Sequence, residues 1–420
     1  MNHRPHLHRP QLRRQWLTLG FGVMGLTTAA TMLVFYLPVV LSQLTGSQLA
    51  IGFAVGVEGL IALTVPLLIG QASDQTWNRF GRRIPYLLAG APLVVAGLVT
   101  AALVDSYWLI VAAVAVFFIG YYIYYTAYQS LYPDTLPSSE YGRAWAVQSI
   151  FQGFAVALAL LGGGALIGVS LKGPFIGAAV FFLVIAALTV WLVREHKSRV
   201  VRTHHHLYSA FGAFVRRIRT DRNLRLFLVA HFCWEYSLAA IRAFVILYLL
   251  SGLGIGGDLL VWILSLAVIT YLIAAVVSGA IIDRFDPRNY TTWVVLGFAT
   301  VMLVAGLSTD RQVLSFLLPF GVFAGAATLM LSYPILLRVT PPSRRGEYTG
   351  YYQANRGLAL ILGTTVTGAL IDRFGAAFPE TDGYQMLWIA TAAIVFLSVP
   401  PLLALTSGGK AKPGASEVRA

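Results

Sequence analysis

Apolar residues in this chain neither alternate nor recur as a narrow helical stripe; they fill long runs separated by short polar stretches. About 20 apolar residues in helical form, at about 1.5 Å rise each, cross the hydrocarbon core of a bilayer. About twelve runs reach that length, at 16–41, 50–69, 85–103, 107–128, 144–170, 175–193, 224–250, 259–282, 290–307, 313–339, 348–370 and 384–405. The pattern predicts an all-α membrane protein of about twelve transmembrane helices in two six-helix halves. The halves are 16–193 and 224–405, with tails at 1–15 and 406–420 and a polar, basic linker at 194–223.

Composition agrees: 57% of the 420 residues are hydrophobic and 11% charged, too much apolar surface for one soluble core. The net charge of +13 alone would suit a nucleic-acid binder, but the basic residues are dispersed over loops and tails, so no nucleic-acid partner is expected. Arg79, Arg82, Arg83, Arg143, Arg194, Lys197, Arg199, Arg284, Arg288, Arg344 and Arg345 fall in one set of loops; Lys172, Arg311 and Arg373 fall in the other. By the positive-inside rule both termini are cytoplasmic, in a multi-pass protein of the cell (inner) membrane. No small-residue cleavage site follows the basic N-terminus before the apolar run continues, so the first span is read as retained.

The halves repeat. Gly279, Asp283 and Arg284 after span eight answer Gly70 and Asp74 after span two, and Pro341, Gly346 and Gly357 answer Pro137, Gly142 and Gly153. Parallel repeats of this kind are a transporter architecture. The stretch 70–90, GQASDQTWNRFGRRIPYLLAG, carries Gly70, Asp74, Gly81, Arg82 and Arg83 between two spans. It resembles the loop signature of the major facilitator superfamily, in a longer form similar to that of the glycoside, pentoside and hexuronide cation symporters and the sucrose/proton symporters. Tyr132–Asp134 with Gly142 and Arg143 resembles the loop after span four in the sugar symporters. The resemblance implies a carrier that alternates access between two halves, with Asp74 and its counterpart Asp283 in a cytoplasmic gate alongside Arg284. The arginines of the loop are expected at anionic headgroups.

An ionisable side chain within a span costs roughly 2.5–3.5 kcal/mol and is a functional candidate by default. Glu58 lies roughly 12 Å into span two and Glu235 roughly 16 Å into span seven. His231, Glu235 and Arg242, spaced four and seven apart, share one helical stripe. A proton-coupled carrier needs a carboxyl that desolvation keeps protonated and that ionises when an arginine or water approaches. Glu235 with His231 is the first choice for that role and Glu58 the rival; static ion pairing is the plainer reading of both. Arg356 on span eleven could bind solute or neutralise a glutamate, and Asn355 beside it is a candidate solute contact. Sodium-type symporters of the resembled branch pair two carboxylates on span two, whereas Ala54 and Ala62 flank Glu58 by one turn, so protons are expected rather than sodium.

Spans one, four, seven and ten line the cavity in the resembled superfamily. On span four Tyr121, Tyr125, Tyr128 and Tyr132 form a ladder, and Tyr121 and Tyr125, with Trp234, offer rings for a sugar's C–H face and hydroxyls for its oxygens. Interhelix packing explains the same residues more plainly. Gln148 and Gln152 on span five complete the candidate solute contacts. No cofactor and no metal site is expected: His204, His205 and His206 are consecutive and lack a second ligand group, and Cys233 is the only cysteine. Neither a P-loop nor a Ser/His/Asp arrangement is present, so catalysis and ATP-driven transport are not expected. The expected activity is secondary transport of a small polar solute, a sugar or glycoside, with protons, by a monomer in the bilayer. Alternatives are proton-driven efflux of amphiphiles, for which span five carries only part of the glycine signature, and a non-transporting assembly or pigment-delivery role on the same fold.

Overall fold

The computed structural model describes residues 9–76, 81–136, 141–193, 216–282, 287–340 and 345–405. The first half contains α1 (Arg9–Leu41), α2 (Gln48–Gln75), α3 (Ile84–Leu103), α4 (Tyr107–Thr135), α5 (Tyr141–Val169) and α6 (Gly173–Leu192). The second contains α7 (Arg222–Leu247), α8 (Gly257–Ile282), α9 (Pro287–Leu307), α10 (Arg311–Val339), α11 (Arg345–Phe374), α12 (Gln385–Leu397) and α13 (Val399–Ala404). Twelve helical segments of the described residues are long and apolar enough to cross a membrane, making this an integral multi-pass protein.

Local chemistry explains the helix ends. Ser47 accepts the Ala50 N–H ahead of α2, Asp221 the Leu224 N–H ahead of α7, and Asp310 the Gln312 N–H ahead of α10. Pro85 and Pro174 occupy first turns, where no N–H is needed. The last span is broken rather than continuous: α12 ends at Leu397, and Pro400 and Pro401 sit in the first turn of α13. α7 leaves through a π-helical turn at Tyr248–Gly252.

Lipid supplies no hydrophobic drive between helices, so close approach depends on small residues. The seam between the halves shows this clearly. Along α2 and α11, Gly368 packs on the Gln48 carbonyl, Gly52 and Gly56 on Thr364, and Gly59 against Gly357, each position closing on a spot where a Cβ would clash. These contacts run from the Arg-poor end to mid-span. At that same end Asp372, the antepenultimate residue of α11, caps α2 of the other half. Its carboxylate accepts the Gln48 N–H at 2.7 Å, the Leu49 N–H at 2.9 Å and the Ser47 hydroxyl at 2.8 Å. The second seam, α5 against α8, places Gly153 on Leu272 and Gly164 near Val261 and Leu264. The halves are therefore sealed together at the Arg-poor end.

At the Arg-rich end the loop after α2 departs from expectation. Arg82 and Arg83 do not reach outward to headgroups: they are 7% and 4% exposed. Arg82 Nε donates to the Ser73 carbonyl at 3.2 Å and Arg83 donates to the Ser73 hydroxyl, so both fold back onto the end of α2. Gly81 has φ +113°, a conformation a side chain would strain, and it turns the chain into α3. The Asp74 side chain, Asp283, Arg284 and the three linker histidines lie outside the described residues.

Candidate functional site

Three helices bring the charged centre together. Glu235 on α7 is buried, and its Oε2 lies 3.5 Å from Arg356 Nε on α11 while its Oε1 lies 3.5 Å from His231 Nε2 one turn earlier. A carboxylate at this depth requires such neighbours, because desolvating it alone would be prohibitive. Arg356, on the same stretch of span, is 38% exposed along its side chain. It therefore borders open interior space.

His231 is held from several directions. Its ring stacks on Tyr352 at 4.0 Å and on Phe227 at 5.6 Å. Asn355 Nδ2 donates to the Leu228 carbonyl at 3.1 Å, which fixes the amide orientation, and its second hydrogen meets His231 Nδ1 at 3.0 Å. Nδ1 thus accepts, and the neutral ring carries its proton on Nε2, the nitrogen that faces Glu235. Asn355 thereby positions the imidazole through both hydrogens of its amide. Ser332 gives its single proton to the Leu329 carbonyl, so Tyr352 donates to Ser332 Oγ at 2.9 Å and its ring stays over the histidine.

The first half contributes Glu58 on α2 and two tyrosines of α4. Glu58 is 7% exposed, and its one hydrogen bond among the described residues comes from the Tyr122 hydroxyl at 3.4 Å. Tyr121 stacks on Tyr125 with centroids 5.5 Å apart, both half-buried. Arg356 pairs with Glu235 within the second half, and Arg242 lies two turns beyond Glu235 on the same stripe of α7. Of the expected residues, His231, Glu235 and Arg356 are in direct contact, and Tyr121 and Tyr125 stack on each other beside Tyr122, which meets Glu58.

Other expectations are corrected. The tyrosine ladder divides: Tyr128 and Tyr132 are buried and donate to the Leu19 carbonyl of α1, while Tyr124 packs on Phe182 of α6. Trp234 is buried, and its indole N–H donates at 2.8 Å to Ser398 at the break between α12 and α13, so it is a packing residue. Gln148 is buried with Oε1 unsatisfied and Gln152 is half-buried; no hydrogen bond among the described residues joins either to the central group. Tyr122 and Tyr352 are the central residues the sequence did not single out. No group of three or more His, Cys, Asp or Glu among the described residues could hold a metal ion.

Two packed halves, sealed at one end and enclosing a polar, charged centre at mid-span, define a membrane carrier. The family model described as Major Facilitator Superfamily matches residues 19–260 and 227–419, and the chain belongs to that superfamily. Family and fold point to a transporter rather than an enzyme. Among curated proteins it is 30% identical over 128 residues to an uncharacterized MFS-type transporter, Rv1250, of Mycobacterium tuberculosis. That match spans 30% of this chain and only 22% of the relative's length. Among solved structures, a bacterial homologue of the human lysosomal transporter Spinster, in an inward-facing and occupied conformation, aligns with a TM-score of 0.75 at 13% identity, covering 94% of this chain and 97% of the other. The nucleoside transporter NupG aligns with a TM-score of 0.72 at 13% identity over 93% of this chain and 98% of its own. A D-xylose-proton symporter aligns with a TM-score of 0.68 at 16% identity over 92% and 96%.

Proposed function

We propose that this protein is a proton-coupled secondary transporter that imports a small polar solute, a sugar or glycoside, by alternating access of its two halves. The observation that carries the reading is the contact of Glu235 with Arg356 and His231 beside interior space. A proton taken up by Glu235 removes the charge that holds Arg356, and His231, with Nε2–H facing the carboxyl, favours the ionised carboxylate by pointing a donor at it. Coupling then follows from geometry: Arg356 is engaged by Glu235 or released to the solute, depending on the proton.

Tyr121 and Tyr125 supply stacked rings and hydroxyls suited to a sugar, and a D-xylose-proton symporter shares the fold. With the Arg-rich loops cytoplasmic, the α2–α11 seam and the Asp372 cap close the outer side. The conformation is then inward-facing, as in the Spinster homologue of the same fold. The decisive experiment follows external pH in proteoliposomes of purified protein as mono- and disaccharides are added, with an amphiphilic dye as the second arm. External alkalinisation with a sugar is expected. Silence with every sugar, together with dye movement driven by an imposed proton gradient, would replace import by efflux.

A further inference from the structure

Two guanidinium groups at the centre are not used up by the protein. Arg242 is half-buried in the interior of α7, two turns beyond Glu235, and makes no hydrogen bond or ion pair with any described residue. Arg356 meets Glu235 only through Nε; its terminal nitrogens have no hydrogen bond among the described residues, and the side chain is 38% exposed. A guanidinium carries five donors, and leaving them unmatched in a membrane interior is costly, so such a pair marks a place for a ligand. Both lie around Glu235: Arg356 Nε is 3.5 Å from its carboxylate, and Arg242 is on the same stripe of α7, two turns on.

We propose that Arg242 and Arg356 bind an anionic group of the transported solute, which makes the solute a sugar acid or sugar phosphate rather than a neutral sugar. The proposal rests on the transport reading above and narrows its solute class. Bidentate pairing with a carboxylate or phosphate is what the guanidinium fork suits best. Charge balance points the same way. Arg242 and Arg356 are matched by Glu58 and Glu235 when both carboxyls are ionised. Once Glu235 takes a proton, one positive charge is left over, which a sugar carboxylate or the monoanion of a sugar phosphate neutralises. Proton and anion therefore favour each other's binding, which is the linkage a symporter requires.

The test is the thermal unfolding midpoint of the purified full chain titrated with sodium D-glucuronate, sodium D-glucose 6-phosphate and D-glucose, at matched sodium chloride. At least one of the two acids is expected to raise the midpoint saturably, through ligand linkage. Whether glucuronate or the phosphate does so separates carboxylate from phosphate. Arg242→Gln should weaken that acid about tenfold or more, since a charged hydrogen-bonded contact is lost. Arg242→Lys, which keeps the charge and serves if the first variant misfolds, should lose part of the affinity. Neither acid binding, or equal binding by wild type and both variants, overturns the proposal. Sugar-driven alkalinisation without acid binding removes the anion site and leaves proton-coupled transport standing. Acid binding lost in Arg242→Gln without proton movement does the reverse.

Discussion

Glu58 and Glu235 are both buried carboxylates within spans, one in each half, and their surroundings differ in kind. Glu235 has a guanidinium and an imidazole within 3.5 Å, while Glu58 has one long hydrogen bond, 3.4 Å, from a tyrosine. The first is tied into a network on α7 and α11 in which Asn355, Tyr352 and Ser332 fix the imidazole. Among the described residues the second has that tyrosine as its one hydrogen-bond partner. A carboxyl embedded in a network transmits its charge state to other groups, whereas a weakly held one changes charge with few mechanical consequences. In the proposed transport cycle Glu235 is accordingly the coupling residue and Glu58 a contributor to the field of the site.

The comparison breaks most sharply on Glu235→Gln. Glu235→Gln deprives Arg356 permanently of its carboxylate partner, whatever the proton concentration. Uphill accumulation of solute against a gradient should be abolished, while exchange of labelled for unlabelled solute across proteoliposomes continues. Glu58→Gln should keep accumulation. If the outcomes are interchanged, the coupling role moves to Glu58.

Much of this was visible in the residues. The spans were legible because run length alone decides whether a segment can cross a bilayer, and Glu58 and Glu235 stood out because so few ionisable residues interrupt the runs. The stripe of His231, Glu235 and Arg242 followed from helical spacing. Trp234 was misjudged for a reason that same spacing contained: it is adjacent to Glu235, so about 100° of helical rotation turns it toward Ser398 instead. The tyrosines of α4 could not be sorted by spacing, because Tyr128 and Tyr132 find their acceptor on α1, more than one hundred positions away. Tyr122 meets Glu58, and Asp372 meets Gln48, across separations of 64 and 324 residues, which no local pattern encodes. Arg82 and Arg83 read as surface charges because nothing nearby in sequence announces that Ser73 will receive them.

Asp372 is a third carboxylate that sharpens the contrast, since it is exposed and acts between halves rather than within a site. It stabilises the N-terminus of α2 as a cap stabilises any helix, but from the other half of the molecule. Asp372→Asn removes the charge and at least one of three acceptor contacts, worth about 1–2 kcal/mol. The population open at the Arg-poor end should rise roughly 5- to 30-fold. Distances between spin labels on the Arg-poor ends of α2 and α11 measure it. Proton coupling should be unaffected, unlike in Glu235→Gln.

Tyr122→Phe carries the smallest expected effect and tests the comparison at its weaker side. The hydroxyl is the one donor Glu58 has among the described residues, and at 3.4 Å the bond is long. Its loss should cost about 0.5–1 kcal/mol, a roughly two- to fivefold change in apparent solute affinity. The ring is retained, so packing of α4 against α2 is kept, and the number of protons moved per solute should not change. A Tyr122→Phe protein that accumulates solute like wild type, with affinity shifted by that factor, places Glu58 beside the solute and outside the coupling step. One that transports downhill but cannot accumulate would show that the weak tyrosine contact governs a titrating group, and the roles of the two carboxylates would have to be exchanged.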